Sequence, residues 1–257
     1  PNLGFDTFTS EEYMENENLQ NPLGWVKDSI LTDEILKCLD STEEPDYVYT
    51  ISTQGHGAYP EEQLIDDPEI TVTGAATEAQ NNQWEYYCNE IHEMDNFVKE
   101  LTDALADYPE DVILVMYGDH LPTMGLTVED LKNKYLFQTE YVMWDNFGME
   151  KKKVNLSAYQ MAAEVMDRAG IHEGTIFRYH QARRNTRNYQ VDLETLQYDL
   201  LYGEKYAYKD KELTFERTKM RMGIYDVSLD SMDLISDIDF TYRLKGTNFT
   251  PSSQVKL

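Results

Sequence analysis

Apolar residues recur every three or four positions from Trp84 to Leu105, and this spacing predicts the longest helix of the chain, running to Asp107 and closed by Pro109. A shorter stretch with Ile30, Leu31, Ile35 and Leu36 on one face predicts a helix over 28–39. Other apolar runs lack helical spacing. Tyr47-Val48-Tyr49-Thr50-Ile51-Ser52 is β-rich and ends in Gly55-His56-Gly57, which predicts a buried strand feeding a loop. Val112 to Met116 is a continuous apolar run suited to a central parallel strand buried on both faces, broken by Gly118. A further strand is predicted over 140–144, a weak helix near 128–134, and a helix over 192–202. Asn155 or Ser157 caps a predicted helix that runs to Arg168 and is stopped by Gly170.

Residues 1–28 read as loop, and 60–80 as a surface excursion rich in Glu, Asp and Pro. The alternation of helices and strands predicts an α/β fold, a mostly parallel central sheet flanked by helices. From about Gly223 the texture changes to alternating segments such as 238–244, followed by a turn at 246–249. The expected organisation is therefore a main domain over 1–222 and a β-rich tail over 223–257.

Composition narrows the partners. The formal net charge is −26 at pH 7. Such a field repels nucleic acid and anionic lipid, both of which need basic patches, and suits an acidic exterior that attracts divalent cations. Cys38 and Cys88 are the only cysteines, and their apolar settings point to core thiols rather than a disulfide. No apolar run approaches the ~18 residues of a membrane span. The chain opens on Pro1, which we read as the start of an excised, soluble piece of a longer protein.

Chemistry concentrates at two predicted strand ends. In an open parallel sheet, ligands gather beyond the carboxyl ends of the strands. Asp119 and His120 follow the 112–116 run at once, and a neighbouring carboxylate and imidazole offer mixed oxygen and nitrogen donors to one divalent ion. That donor set suits Mn²⁺ or Zn²⁺ better than Ca²⁺, which prefers oxygen alone. An Asp-His pair in a loop also serves as a plain hydrogen-bonded turn. His56 sits between two glycines after the other predicted strand, where the backbone can crowd a ligand and the imidazole can donate to a phosphate oxygen. His92 reads as a helix-surface or packing residue, and His172 and His180 as surface residues. Arg183, Arg184 and Arg187 form a basic cluster that could meet an anionic ligand, though balancing the local acidity is the reading preferred. Nothing marks Ser52 or Thr53 as an activated nucleophile.

At these residues the sequence resembles the extracellular catalytic domain of lipoteichoic acid synthases and related phosphoglycerol transferases, in the sulfatase branch of the alkaline phosphatase superfamily. YTISTQGHGAYP (49–60) resembles the family's strand leading to a substrate-contacting histidine, and the 112–116 run with Gly-Asp-His-Leu-Pro resembles its later metal motif. FQTEYVMWDNFG (137–148) resembles the following segment, with Glu140 in place of the usual proline, and NLGFDTFTSEEYM resembles the stretch after a substrate-binding arginine. The resemblance covers about 1–180. It implies that Asp119 and His120 bind the metal, Mn²⁺ foremost with Zn²⁺, Mg²⁺ or Ca²⁺ as alternatives, and that His56 contacts the transferred phosphoglycerol.

The family's threonine nucleophile, an earlier acidic ligand and a Trp/Arg pair have no match here, so the resemblance implies a chain that is inactive by itself. It also implies a phosphatidylglycerol-type donor, an anionic cell-envelope polymer as partner, and a parent held at the extracellular face of a bacterial membrane by upstream transmembrane helices. The GTNFTPSSQVKL ending resembles the opening strands of immunoglobulin-like modules. A sulfatase, phosphodiesterase or phosphoethanolamine transferase of the same superfamily, and a non-catalytic polymer-binding domain, remain alternatives.

Overall fold

The structure, a computed structural model, describes residues 2–14, 19–208, 216–250 and 253–254. Its helices are α1 (Leu31–Leu39), α2 (Glu78–Ala106), α3 (Met161–Arg168), α4 (Thr175–Arg183) and α5 (Tyr189–Leu201). Its strands are β1 (Thr7–Phe8), β2 (Ile113–Tyr117), β3 (Tyr141–Asp145), β4 (Arg221–Met222), β5 (Ser228–Ser236) and β6 (Thr241–Thr247). Among the described residues β1 pairs with β4 in parallel, β2 with β3, and β5 with β6 as an antiparallel hairpin. The fold is thus α/β, with short antiparallel strands near the C-terminus.

The long periodic segment forms α2, and it begins earlier than its apolar stripe. Thr77 is extended, and its side chain accepts the Gln80 N–H at 3.1 Å, so the polar stretch 78–83 joins the helix as its first turns. Phe97, Leu101 and Leu105 are buried on α2, and Leu31 of α1 joins them in the core. A three-residue 3-10 turn over Asp28–Ile30 leads into α1, so the helix predicted over 28–39 is present throughout.

The acidic excursion 60–75 is strapped to α2 by polar side chains rather than by apolar contacts. Asn89 bonds both the N–H and the carbonyl of Ile70, Glu85 accepts the Val72 N–H, and Asn81 accepts the Ala75 N–H. These bonds satisfy a backbone that forms no ladder.

Compactness divides the chain into one unit of 1–108, 116–142 and 217–257 and a second of 109–115 and 143–216. In the second, Ser157 and Gln160 form a reciprocal capping box before α3, and Gly170, at φ +75°, follows its end as predicted. Helix α4 escaped prediction because its sequence, TIFRYHQAR, carries no clear apolar stripe. In the hairpin, Met232 faces Leu244 and Leu234 faces Tyr242. Gly246 is required there: a Cβ would stand 1.9 Å from the Ser228 carbonyl oxygen.

Three expectations need correction. The 47–52 segment forms no strand, and Tyr47, Tyr49 and Ile51 are exposed, because no described strand pairs with it. Strand β2 is half-buried rather than covered on both faces. The Gly118 N–H bonds the Glu140 carbonyl and the Asn146 N–H bonds the Val112 carbonyl, so β3 runs opposite to β2. Over 128–134 only Val128–Asp130 turns, as one 3-10 turn.

Candidate active site

The His56 turn is built on a buried polar network. Gln54 is only 2% exposed, and its side chain accepts the Asp28 N–H at 2.9 Å and donates to Glu93 at 2.6 Å. Asp28 answers with one carboxylate oxygen, accepting the N–H groups of Thr53 (3.0 Å) and Gln54 (3.4 Å). Its other oxygen is buried without a partner, and burial pushes the carboxyl above its usual range. Asn21 donates to the Gln54 carbonyl and to Glu90, whose own pKa is raised, chiefly by burial. Each of these groups fixes the two residues that precede Gly55. Beyond them the His56 N–H bonds the Thr53 carbonyl, and the Tyr59 hydroxyl closes the turn on the Gly55 carbonyl at 3.1 Å.

The exposed imidazole of His56 therefore stands on a rigid base. Its Nδ1 lies 2.7 Å from the Gly57 carbonyl oxygen, which can only accept, so Nδ1 carries a proton and Nε2 is the ring nitrogen left to meet a ligand. His120 repeats the arrangement, with Nδ1 2.9 Å from the Leu121 carbonyl oxygen. Holding one ring nitrogen on a carbonyl is how proteins orient an imidazole toward a cation or phosphate on its other side.

Strand β2 delivers Asp119 and His120 just past its end. One Asp119 oxygen accepts the His120 N–H at 2.8 Å, which locks the corner. The same oxygen is 3.7 Å from His120 Nε2. That separation is below twice a metal–ligand bond of about 2.1 Å, so one divalent ion can be reached by both donors. Carboxylate oxygen and imidazole nitrogen fit Mn²⁺ or Zn²⁺ chemistry. These are two donors of a larger set; among the described residues no group of three or more His, Cys, Asp and Glu gathers around one point.

The two corners meet. The rings of His56 and His120 lie 6.0 Å apart, centre to centre, at 80°. Gly57 and Thr123 are also neighbours: a Cβ on Gly57 would stand 3.2 Å from the Thr123 hydroxyl. All three predicted site residues thus share one neighbourhood. Sequence reading missed Trp25, whose indole lies 5.8 Å from the His56 ring in a stretch read as plain loop. Its only sequence signal is an aromatic beside Gly24 in an otherwise polar segment.

The other histidines divide. His92 pairs with Glu69 at 2.9 Å on the surface, and His172 lies 3.4 Å from Asp167, also exposed. His180, read as a surface residue, is buried at 4% exposure with Tyr159, Tyr179 and Tyr189 around it. The arginine cluster is structural: Arg183 bonds Asp192, and Arg184 pairs with the buried Glu164. Cys38 and Cys88 are free thiols.

A family model described as Sulfatase matches residues 1–171, two thirds of the chain. The chain belongs to the sulfatase family. In structure it is similar to the Streptococcus pyogenes phosphoglycerol transferase GacH, solved in complex with sn-glycerol-1-phosphate. The TM-score is 0.61 at 21% identity, over 76% of this chain and 54% of that one. In sequence it is 26% identical to a Rhizobium meliloti (strain 1021) protein named for cyclic beta-1,2-glucan modification, over 80% of this chain and 38% of that protein. The chain therefore spans about half or less of the relatives it matches. This sulfatase-family chain shares the fold of that phosphoglycerol transferase, and enzymes of the sulfatase type use divalent metals. No helix among the described residues is long and apolar enough to cross a membrane.

Proposed function

We propose that this chain carries part of the metal-and-phosphate site of a Mn²⁺-dependent phosphoglycerol transferase that moves glycerol phosphate from a phosphatidylglycerol-type lipid to a cell-envelope polymer. The observation that carries this reading is the approach of the His56 and His120 rings to 6.0 Å, which joins an anion-facing imidazole to a carboxylate–imidazole corner. The GacH complex with glycerol phosphate supports the donor chemistry, and the Rhizobium relative's name supports a polymer acceptor.

Asp119 and His120 would hold the cation. When bound, it lowers the pKa of an attacking hydroxyl and neutralises charge on the phosphoryl oxygens. His56 orients the phosphate as the imidazolium, with Nδ1–H tied to the Gly57 carbonyl and Nε2–H donating to a phosphate oxygen. No residue of this chain is assigned as nucleophile, and the chain alone is expected to be inactive. We assign the complete enzyme to the extracellular face of a bacterial membrane, anchored there, and read 223–257 as its β-rich tail.

The test is to incubate the full-length protein with Mn²⁺ and phosphatidylglycerol vesicles and to measure diacylglycerol release. His56→Ala is expected to lower kcat/KM by about 100-fold. Consumption of aryl sulfate or phosphatidylethanolamine, with phosphatidylglycerol untouched, would replace this reading by a sulfatase or a phosphoethanolamine transferase.

A further inference from the structure

Residues 19–27 form a small hairpin whose tip carries Trp25. Gln20 and Val26 make an antiparallel bridge, and the Lys27 N–H bonds the Leu19 carbonyl at 2.8 Å. The tip is closed by one residue. The Asn21 N–H bonds the Trp25 carbonyl at 2.8 Å, and the Asn21 side-chain oxygen accepts the N–H groups of Leu23 (3.0 Å) and Trp25 (2.9 Å). Gly24, at φ +84°, permits the reversal.

Asn21 is itself 5% exposed, and its amide nitrogen holds the Gln54 carbonyl and the Glu90 carboxylate. The residue that shapes the Trp25 tip therefore also grips the turn that presents His56. Glu93 ties the same two segments again, through Lys27 and Gln54. Trp25 and His56 are thus held in fixed register by buried bonds, while Trp25 stays 39% exposed with its indole 5.8 Å from the imidazole. A large apolar face left partly wet on a rigid mount, beside a group suited to bind phosphate, can gain by covering the carbon part of a ligand without paying to order itself.

We propose that Trp25 is a specificity-determining residue: its indole packs against the carbon skeleton of the phosphate ester held at His56. This rests on the phosphate role assigned to His56 above. Inorganic phosphate would use His56 and the cation alone, whereas glycerol 1-phosphate would also bury its C–H face on the indole. Trp25 contributes no proton and no charge to the reacting atoms, so its effect is on which ester binds.

The experiment is calorimetry on the full-length protein in Mn²⁺ buffer, with inorganic phosphate and glycerol 1-phosphate as probes. Wild type should favour glycerol 1-phosphate. Trp25→Ala should weaken that probe by about five- to tenfold while phosphate affinity stays within about twofold, and Trp25→Phe should restore most of the preference. A preference unchanged in Trp25→Ala, or equal wild-type affinity for both probes, overturns the assignment of Trp25 and leaves His56 standing. Absence of binding by either probe to wild type sinks the phosphate site itself and the role of Trp25 with it. Equal loss on both probes in Trp25→Ala would show a structural prop, also against the proposal.

Discussion

Two histidines, His56 and His180, sit in the same chain with the same hydrogen-bond device and opposite fates. Each ring engages a partner through Nδ1, His56 with the Gly57 carbonyl at 2.7 Å and His180 with the Tyr189 hydroxyl at 2.7 Å. His56 is exposed, and its ring lies 6.0 Å from that of His120. His180 is buried, packed among three tyrosines, and burial pushes its pKa below the ordinary histidine value. What separates the two imidazoles is burial of the ring, and the buried network around Gln54 carries the turn that keeps His56 at the surface.

Substitution sharpens the contrast. His56→Ala should cost the full-length enzyme about 100-fold in kcat/KM, with unfolding free energy changed by less than about 0.5 kcal/mol, since an exposed side chain is removed. Chemical denaturation beside steady-state kinetics reads both. Glu164→Ala, near His180, should do the reverse. It strands the Arg184 guanidinium in a part-buried site and is expected to cost about 3 kcal/mol of stability, with Mn²⁺ affinity unchanged. A Glu164→Ala protein as stable as wild type would break the comparison, because the second cluster would then be as dispensable to the fold as His56.

The smallest effects lie in pH. His180 titrates low, so the unfolded chain takes up its proton first; its contribution is complete above the ordinary histidine pKa and is lost as pH falls below about 6.5. Asp28 and Glu90 titrate high, so their contribution is present at acid pH and is lost as pH rises through their raised folded values. The two regions should therefore loosen at opposite ends of the scale. Residue-resolved hydrogen exchange should show His180→Gln flattening the acid side and Glu90→Gln the neutral side. A Glu90→Gln protein with the wild-type slope would show that the carboxylate is solvated after all.

The sequence made some of this contrast visible. His56 stood out because glycines flank it after a β-rich run, and Asp119-His120 because they follow the apolar run that became β2. Burial of His180 did not show, since α4 lacks a regular stripe and the tyrosines around it come from separate elements, Tyr159 before α3 and Tyr189 at the start of α5. The 47–52 segment misled because strand propensity needs a partner, and none of the described strands supplies one. Trp25 and the Asn21 clamp were hidden for a related reason. Bonds from Asn21 to Glu90 and from Asp28 to Gln54 join residues far apart in sequence, and no local pattern encodes them.

The account stands on Asp119 and His120 as joint holders of one cation. The direct measurement is calorimetric titration of Mn²⁺ into the full-length protein and into its Asp119→Ala and His120→Ala variants. Each substitution is expected to weaken binding by about 100-fold or more, with the fold retained. Wild-type Mn²⁺ affinity in both variants would contradict it.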